Sequence, residues 1–164
     1  MNVRVEALLA TLALPLLAAG CGSDCAGRAA ASVVAPPSFT VVDDAQVGHG
    51  VGRFDYQGRW EHIRIADGRD AGTSTRSRRE PSVAVFPFYG TRVRLYGVCG
   101  PGGGLAQITL DGAEQLRPVT FDCRRKTVHK LVYESAELKN DVHYLTIGVL
   151  ENRYVNLDDA IVEK

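Results

Sequence analysis

The sequence predicts an all-β domain of two stacked antiparallel layers, which follows an export signal and a short tether. Short runs that alternate apolar and polar residues recur along the chain, and no helical period of useful length interrupts them. The 164 residues include 17 glycines and 7 prolines, a content typical of many turns and short strands. This length is sufficient for one domain with its own hydrophobic core.

The amino terminus has the features of an export signal. Residues 7–19 form an apolar run that is shorter than the roughly 20 residues of a membrane-spanning helix. Residues 17–21, Leu-Ala-Ala-Gly-Cys, resemble a bacterial lipobox, although Ala18 stands where the usual leucine would be. The resemblance implies that residues 1–20 are a lipoprotein signal peptide and that Cys21 carries the lipid. The alternative is a secretory signal cut near Ala19, and both interpretations export the protein.

The segment after the signal is predicted to be a flexible tether. Residues 21–37 are rich in Ala, Gly, Ser and Pro, a composition that favours a disordered linker. Acyl chains on Cys21 would hold the protein on a membrane. Gly22 follows this cysteine, which by resemblance to lipoproteins indicates the outer membrane. We therefore expect the folded domain to span residues 38–164.

Alternating segments within this domain predict its strands. Val93 and Leu95 are expected to face inward, and Tyr96 outward, whereas Pro87 indicates an edge position or a bulge. Residues 100–104 and the dipeptide Asp111-Gly112 are predicted turns. Strands at this spacing predict a sandwich or a barrel. The predicted strands are residues 60–65, 82–89, 91–97, 105–110, 119–122, 127–134, 144–150 and 155–162.

Export also determines the chemistry expected of the cysteines. Cys99 and Cys123 lie inside the domain beside predicted strands, so we expect them to form a disulfide in an oxidising compartment. Cys25 in the tether is then unpaired or part of an intermolecular link. The sequence has no Cys-x-x-Cys and no ligand-spaced pair of histidines, so we predict neither a metal site nor a cofactor.

Charge is balanced overall but uneven along the chain. Nineteen basic and nineteen acidic residues give a net charge of zero, which argues against a nucleic-acid partner. Residues 53–94 hold nine arginines and five acidic residues, whereas residues 134–164 hold seven acidic and three basic residues. This asymmetry indicates either complementary solvated faces or an arginine-lined patch for an anionic glycan or phosphate.

A series of short motifs resembles the galactose-binding-like β-sandwich, a jelly roll. The resemblance covers roughly residues 48–163. It implies a carbohydrate-binding module or an accessory domain of the kind found beside glycoside hydrolases and esterases. The motifs are Tyr-Gln-Gly-Arg-Trp at 56–60, Pro-Ser-Val-Ala-Val-Phe at 81–86, Tyr-Gly-Thr-Arg-Val-Arg-Leu-Tyr-Gly at 89–97, Gly-Gly at 103–104, Ile-Thr-Leu-Asp-Gly at 108–112, His-Tyr-Leu-Thr-Ile at 143–147 and Val-Asn-Leu-Asp-Asp-Ala at 155–160.

Some members of this family hold a structural calcium ion, so the resemblance gives calcium as an alternative to the expectation of no metal. Asp43, Asp44, Asp158 and Asp159 would supply some of its oxygen ligands if the first and last strands were neighbours. Because successive residues of a strand point to opposite faces, Asp158 and Asp159 are not expected to form a catalytic carboxylate pair. His143, which follows a polar turn, is expected to be structural.

These observations predict a non-catalytic binding module of the bacterial envelope. The sequence contains no Gly-x-Ser-x-Gly elbow and no phosphate loop, so we do not expect an enzyme. We expect a glycan ligand, held by aromatic stacking and polar side chains. The alternative is an envelope-assembly or adhesion lipoprotein that binds another protein and has no sugar site. The candidate contacts are Trp60, Arg76 in the polar loop 70–79, Tyr96, Arg153 and Tyr154, with a structural anchor as the alternative role of Trp60.

Overall fold

The computed structural model describes residues 36–65 and 72–164. The predicted signal peptide, Cys21, Cys25 and nearly all of the predicted tether lie outside these residues. Pro36–Lys164 forms one compact unit. Within the residues described, no helix has the length and apolar character needed to cross a membrane.

The described chain consists of short strands and turns, with no α-helix in residues 36–65 or 72–164. Twelve strands occur in these residues. The strands are β1 (Phe39–Asp43), β2 (Asp55–Gln57), β3 (Glu61–Arg64), β4 (Thr73–Ser77), β5 (Val83–Gly90), β6 (Arg92–Cys99), β7 (Leu105–Leu110), β8 (Ala113–Glu114), β9 (Val119–Thr120), β10 (Thr127–Glu134), β11 (Asp141–Val149) and β12 (Val155–Glu163). Eight of them overlap the predicted segments, whereas β1, β2, β4 and β8 were not predicted.

These strands form two antiparallel sheets that pack face to face. Sheet one has the order β10-β6-β12-β4-β3, and β1 also pairs with β12. Sheet two has the order β2-β5-β11-β7-β8, and β9 also pairs with β7. Because neighbours in a sheet are distant in sequence, the chain crosses repeatedly between layers, which is the arrangement of a jelly roll. The predicted all-β sandwich is therefore confirmed.

The core lies between the two sheets and follows from the alternation in each strand. Val93 and Leu95 of β6 are fully buried, as predicted, and they face Phe86 of β5 across the core. The ring of Phe86 stacks on Phe54 with centroids 4.6 Å apart. Full burial of side chains of this size contributes about 1.5–3 kcal/mol each, so this layer is the main source of stability.

Pro87 occupies a position in β5 where the sheet needs no backbone N–H to donate a hydrogen bond. The strand lies between β2 and β11, yet β2 pairs only with residues 83–85. Beyond that point the Pro87 carbonyl oxygen accepts a hydrogen bond from the Gly52 backbone N–H at 2.7 Å. The proline therefore stands at a local edge of the sheet, where a missing N–H breaks no ladder bond.

The predicted disulfide joins the end of β6 to the connection after β9. Cys99 and Cys123 are bonded, and their Cα atoms lie 5.5 Å apart. Cys99 is buried in the core cluster, and Cys123 packs against it. Closing a loop with a sequence separation of 24 stabilises the fold by about 3–4 kcal/mol in the chain-entropy model.

His143 has the structural role that the sequence predicts. The side chain is buried, and its Nδ1 lies 2.6 Å from Asp111 Oδ2 while its Nε2 lies 2.7 Å from the Lys139 carbonyl oxygen. Both partners are acceptors, so they favour the imidazolium form and raise the pKa of His143 against the opposing effect of burial. Asp111 and Gly112, both at positive φ, form the predicted two-residue turn between β7 and β8.

The expectation that Asp158 and Asp159 point to opposite faces is wrong. The register between β12 and β6 shifts between Leu157 and Ala160, so two residues of β12 stand opposite one residue of β6. This β-bulge turns both carboxylates toward His129, whose Nδ1 lies 3.5 Å from Asp158 Oδ2 and 3.2 Å from Asp159 Oδ2. A bulge interrupts the alternation on which the prediction depended.

The first and last strands are neighbours, as the calcium hypothesis required. Asp43 of β1 stands opposite Asp159 of β12. Asp44 is fully buried, and its carboxylate accepts hydrogen bonds from Thr73 and Thr75 at 2.9 and 2.5 Å. Within residues 36–65 and 72–164, these carboxylates do not form a group of three or more ligands that could hold a metal ion.

Candidate functional site

A groove in the described part of the chain lies along sheet one, at the ends of β3, β4 and β12. It has a volume of about 480 Å³, and three segments of the chain line it: residues 58–61, residues 76–79 and Tyr154. Three of the five predicted contacts, Trp60, Arg76 and Tyr154, meet in this groove. A concave surface with an aromatic wall and polar side chains is the arrangement expected of a small-molecule or glycan site.

A glycine and a serine hold the first segment in place. Gly58 has a φ of 95°, and a Cβ at this position would lie 2.7 Å from the Pro81 carbonyl oxygen and 2.9 Å from Ser82 Oγ. A glycine is therefore required where this turn crosses the start of β5. The next backbone N–H, that of Arg59, donates to Ser82 Oγ at 3.2 Å.

Trp60 is anchored to the sandwich, and it also lines the groove. Its indole N–H lies 3.0 Å from the Gln57 carbonyl oxygen and 3.2 Å from that of Val83, and its ring centroid lies 5.1 Å from that of Tyr56. These contacts attach one edge of the ring to the sandwich. The half-buried side chain also forms part of the groove wall, so its anchored ring is accessible from the groove.

Arg76 lies in strand β4, and not in a loop as predicted. It stands between Glu61 of β3 and Asn156 of β12, and its Nε donates to Glu61 Oε2 at 3.1 Å. Its guanidinium carbon lies 4.4 Å from the centroid of the Tyr154 ring. This strand was not predicted because its residues, Thr-Ser-Thr-Arg-Ser, contain no apolar side chain and so show no apolar alternation.

Tyr154 serves as a platform for arginine side chains. The Arg78 guanidinium also lies over its ring, 5.1 Å from the centroid. Cation–π contacts of this kind contribute about 0.5–1 kcal/mol each at exposed sites, and they fix the direction of the guanidinium donors. The ring therefore holds the guanidinium groups of Arg76 and Arg78 at the groove.

A second, smaller cleft continues the groove past Arg76 and Tyr154. It has a volume of about 160 Å³, and its other walls include Lys126, Asn156 and the turn over residues 98–103. Backbone contacts hold that turn against its neighbours, since the Gly104 N–H donates to the Tyr154 carbonyl oxygen at 2.8 Å and the Phe121 N–H donates to that of Gly104 at 2.8 Å. The disulfide links Cys99, at the end of β6 where this turn begins, to Cys123.

The remaining two predicted contacts lie outside both clefts. Tyr96 faces outward as predicted, but His129 covers its ring, with centroids 4.2 Å apart and planes 7° from parallel. Arg153 is exposed beside Tyr154, and its backbone packs closely against Gly104. Neither residue is among those that line the groove or the second cleft.

Sequence reasoning missed several residues that line these clefts, namely Arg59, Glu61, Arg78, Arg79, Lys126 and Asn156. The arginine excess over residues 53–94 was the signal that pointed to three of them, Arg59, Arg78 and Arg79. Only the pairing of β4 with β3 and β12 shows that these side chains surround one groove.

Comparison with known proteins supports the fold assignment. No protein-family model matches the sequence, and no curated protein does. A family 35 carbohydrate-binding module from Clostridium thermocellum is similar in structure, with a TM-score of 0.54 and 10% identity over 76% of this chain and 96% of that module.

Two larger enzymes contain a similar domain. A family two carbohydrate esterase from Cellvibrio japonicus has a TM-score of 0.53 and 14% identity, over 78% of this chain and 34% of the esterase. An exo-beta-1,3-galactanase from Phanerochaete chrysosporium has a TM-score of 0.54 and 14% identity, over 77% of this chain and 29% of the enzyme. This chain thus spans about a third of each enzyme, and identities this low show likeness of fold alone. The described domain has the jelly-roll fold of carbohydrate-binding modules.

Proposed function

We propose that this protein is a non-catalytic carbohydrate-binding module and that its ligand occupies the groove beside Trp60, Arg76 and Tyr154. The observation that carries this proposal is the convergence of these three predicted residues on one concave surface of about 480 Å³. An indole ring offers an apolar face to a sugar ring, and guanidinium groups donate hydrogen bonds to its oxygen atoms. Tyr96 and Arg153 are not part of this site.

The carboxylates of the domain support a binding role over hydrolysis. Two-carboxylate glycosidases place one acid on each side of the scissile bond. Among the described residues that line the groove, Glu61 is the one carboxylate, and it is hydrogen-bonded to Arg76. The adjacent pair Asp158 and Asp159 instead contacts His129, which is not among the groove-lining residues.

We also propose that the domain works on the outside of a bacterial membrane. The lipobox-like segment at residues 17–21 supports cleavage before Cys21 and its acylation, with the outer membrane as the destination. The disulfide between Cys99 and Cys123 supports an oxidising compartment. Mass spectrometry of the mature amino-terminal residue tests this proposal directly.

Tyr154→Ala is expected to weaken glycan binding at least about tenfold, because the two arginine side chains lose the ring that orients their charged donors. The matched control is Tyr144→Ala, which removes an exposed tyrosine from β11 of sheet two. The measurement is a glycan array followed by titration calorimetry on the best ligand. Equal affinity of both variants would contradict the groove assignment. Binding to no glycan, together with a stable protein partner from envelope extracts, would favour the protein-binding alternative.

A further inference from the structure

We propose that the groove selects glycans that carry carboxylate or phosphate groups. This inference rests on the proposed carbohydrate-binding function and specifies its ligand. The groove lining contains four guanidinium groups, those of Arg59, Arg76, Arg78 and Arg79, but one carboxylate, that of Glu61. The whole chain has a net charge of zero, so this local excess reflects a concentration of positive charge on one surface.

The single carboxylate neutralises only part of this charge. Glu61 lies 3.1 Å from Nε of Arg76, and 62% of its side chain is exposed to solvent. No ion pair within residues 36–65 and 72–164 involves Arg59, Arg78 or Arg79. These three guanidinium groups therefore remain available to an anionic ligand. A guanidinium group presents paired N–H donors in a plane, which matches the two oxygens of a carboxylate or phosphate.

The shape of the surface favours a chain of sugars over a single small anion. The second cleft shares Arg76 and Tyr154 with the groove and adds Lys126 to the cationic lining. A third depression of about 280 Å³ lies between Arg78, Arg79 and Asn152. The basic surface thus extends from the groove in two directions. A polymer with a repeated anionic group can contact several of these positions at once.

The ring of Trp60 favours a glycan over a polyanion that has no apolar sugar face. It lies in the same groove as the guanidinium groups, where it offers apolar contact to the carbon face of a sugar. A ligand that combines an apolar sugar face with an oxyanion would use both parts of the lining. A polyanion without such a fit would use charge alone, and its affinity would fall with any loss of positive charge.

The test compares acidic and neutral glycans on purified full-length protein. Polygalacturonate and alginate supply carboxylates, glycerol-phosphate teichoic acid supplies phosphates, and dextran and a neutral β-glucan carry no charge. Dextran sulfate is the probe for non-specific attraction. The site variant is R78Q/R79Q, which removes two exposed groove arginines. The matched control is R117Q/R124Q, which removes two exposed arginines that line none of the clefts.

We expect at least one acidic glycan to bind about tenfold or more tightly than the neutral ones, with affinity falling as salt concentration rises. R78Q/R79Q should lose about tenfold of that affinity, and R117Q/R124Q should stay within about twofold. The acidic polymer that binds identifies the group as carboxylate or phosphate. Equal affinity for neutral glycans would overturn the charge selection and leave the proposed function intact. Binding to none of the glycans would overturn both proposals. Equal losses of affinity in R78Q/R79Q and R117Q/R124Q would show non-specific charge attraction and would overturn the proposed selection of acidic glycans.

Discussion

Gly103→Ala is expected to lower the free energy of unfolding by about 3 kcal/mol, because the turn beside the second cleft has no room for a side chain. A Cβ at this position would lie 2.0 Å from the Phe121 carbonyl oxygen and 2.8 Å from the Asp122 backbone nitrogen. Both are backbone atoms, so no side chain can rotate away. The strands would have to separate at the contact that also positions Tyr154.

Gly100→Ala provides the control for this prediction. It lies in the same turn, but the nearest atom to its added Cβ is the Lys126 Cα at 3.7 Å, which is ordinary van der Waals contact. We expect a change within about 0.5 kcal/mol. Unfolding in urea, followed by tryptophan fluorescence, measures both variants. An unfolding midpoint for Gly103→Ala equal to that of the unsubstituted protein would show that the turn does not pack as described.

Asp44→Asn is expected to raise stability at pH 7 by up to about 3 kcal/mol and to have little effect near pH 4. Burial at the end of β1 raises the pKa of Asp44 from 3.8 to about 6, despite hydrogen bonds from Thr75 and Thr73 that lower it. The neighbouring carboxylates of Asp43 and Asp158 raise it further. At neutral pH the buried Asp44 carboxyl is therefore ionised, and the folded state would be more stable if this group were neutral.

The direction of this pH dependence follows from the pKa values of Asp44 in the folded and unfolded states. Because the folded-state pKa is the higher one, the folded state binds the proton more tightly than the unfolded chain does between pH 4 and pH 6. The contribution of Asp44 to stability therefore decreases as the pH rises through this range and stays constant above it. An asparagine side chain is uncharged at every pH, so the substitution removes this pH-dependent loss of stability. Its amide can still accept a hydrogen bond from one threonine hydroxyl and donate one to the other.

Thermal unfolding at pH 4 and pH 7 measures this difference. Glu114→Gln, an exposed carboxylate of β8, is the control and should give the same change in melting temperature at both values. If Asp44→Asn destabilised the protein equally at pH 4 and pH 7, the buried carboxylate would contribute through its hydrogen bonds and not through its charge.

The sequence predicted those parts of the fold that follow a regular two-residue alternation. Val93 and Leu95 lie in the core, the strand over residues 105–110 has the predicted bounds, and Cys99 pairs with Cys123. Strands without an apolar alternation were not predicted. The segment Thr73–Ser77 is polar throughout, yet the structure buries three of its side chains against β3 and β12.

The candidate site depended on information that no local pattern contains. Trp60, Arg76 and Tyr154 meet because β4 pairs with both β3 and β12, and these pairings join segments far apart in the chain. Tyr96 was predicted as a ligand contact because its aromatic side chain faces outward. Its ring is covered by His129 of the neighbouring strand β10. The β-bulge at Asp158 and Asp159 likewise interrupts alternation without an obvious signal in the sequence.

The most direct measurement of the site is an NMR titration of the protein with the glycan that binds best in the array. The account predicts that the largest shift changes occur at the Trp60 indole N–H and at the backbone amides of Arg76 and Tyr154, while Tyr144 on the other sheet stays unchanged. Changes centred on the exposed tyrosines of sheet two, with the Trp60 indole signal unmoved, would contradict the assignment of ligand binding to this groove.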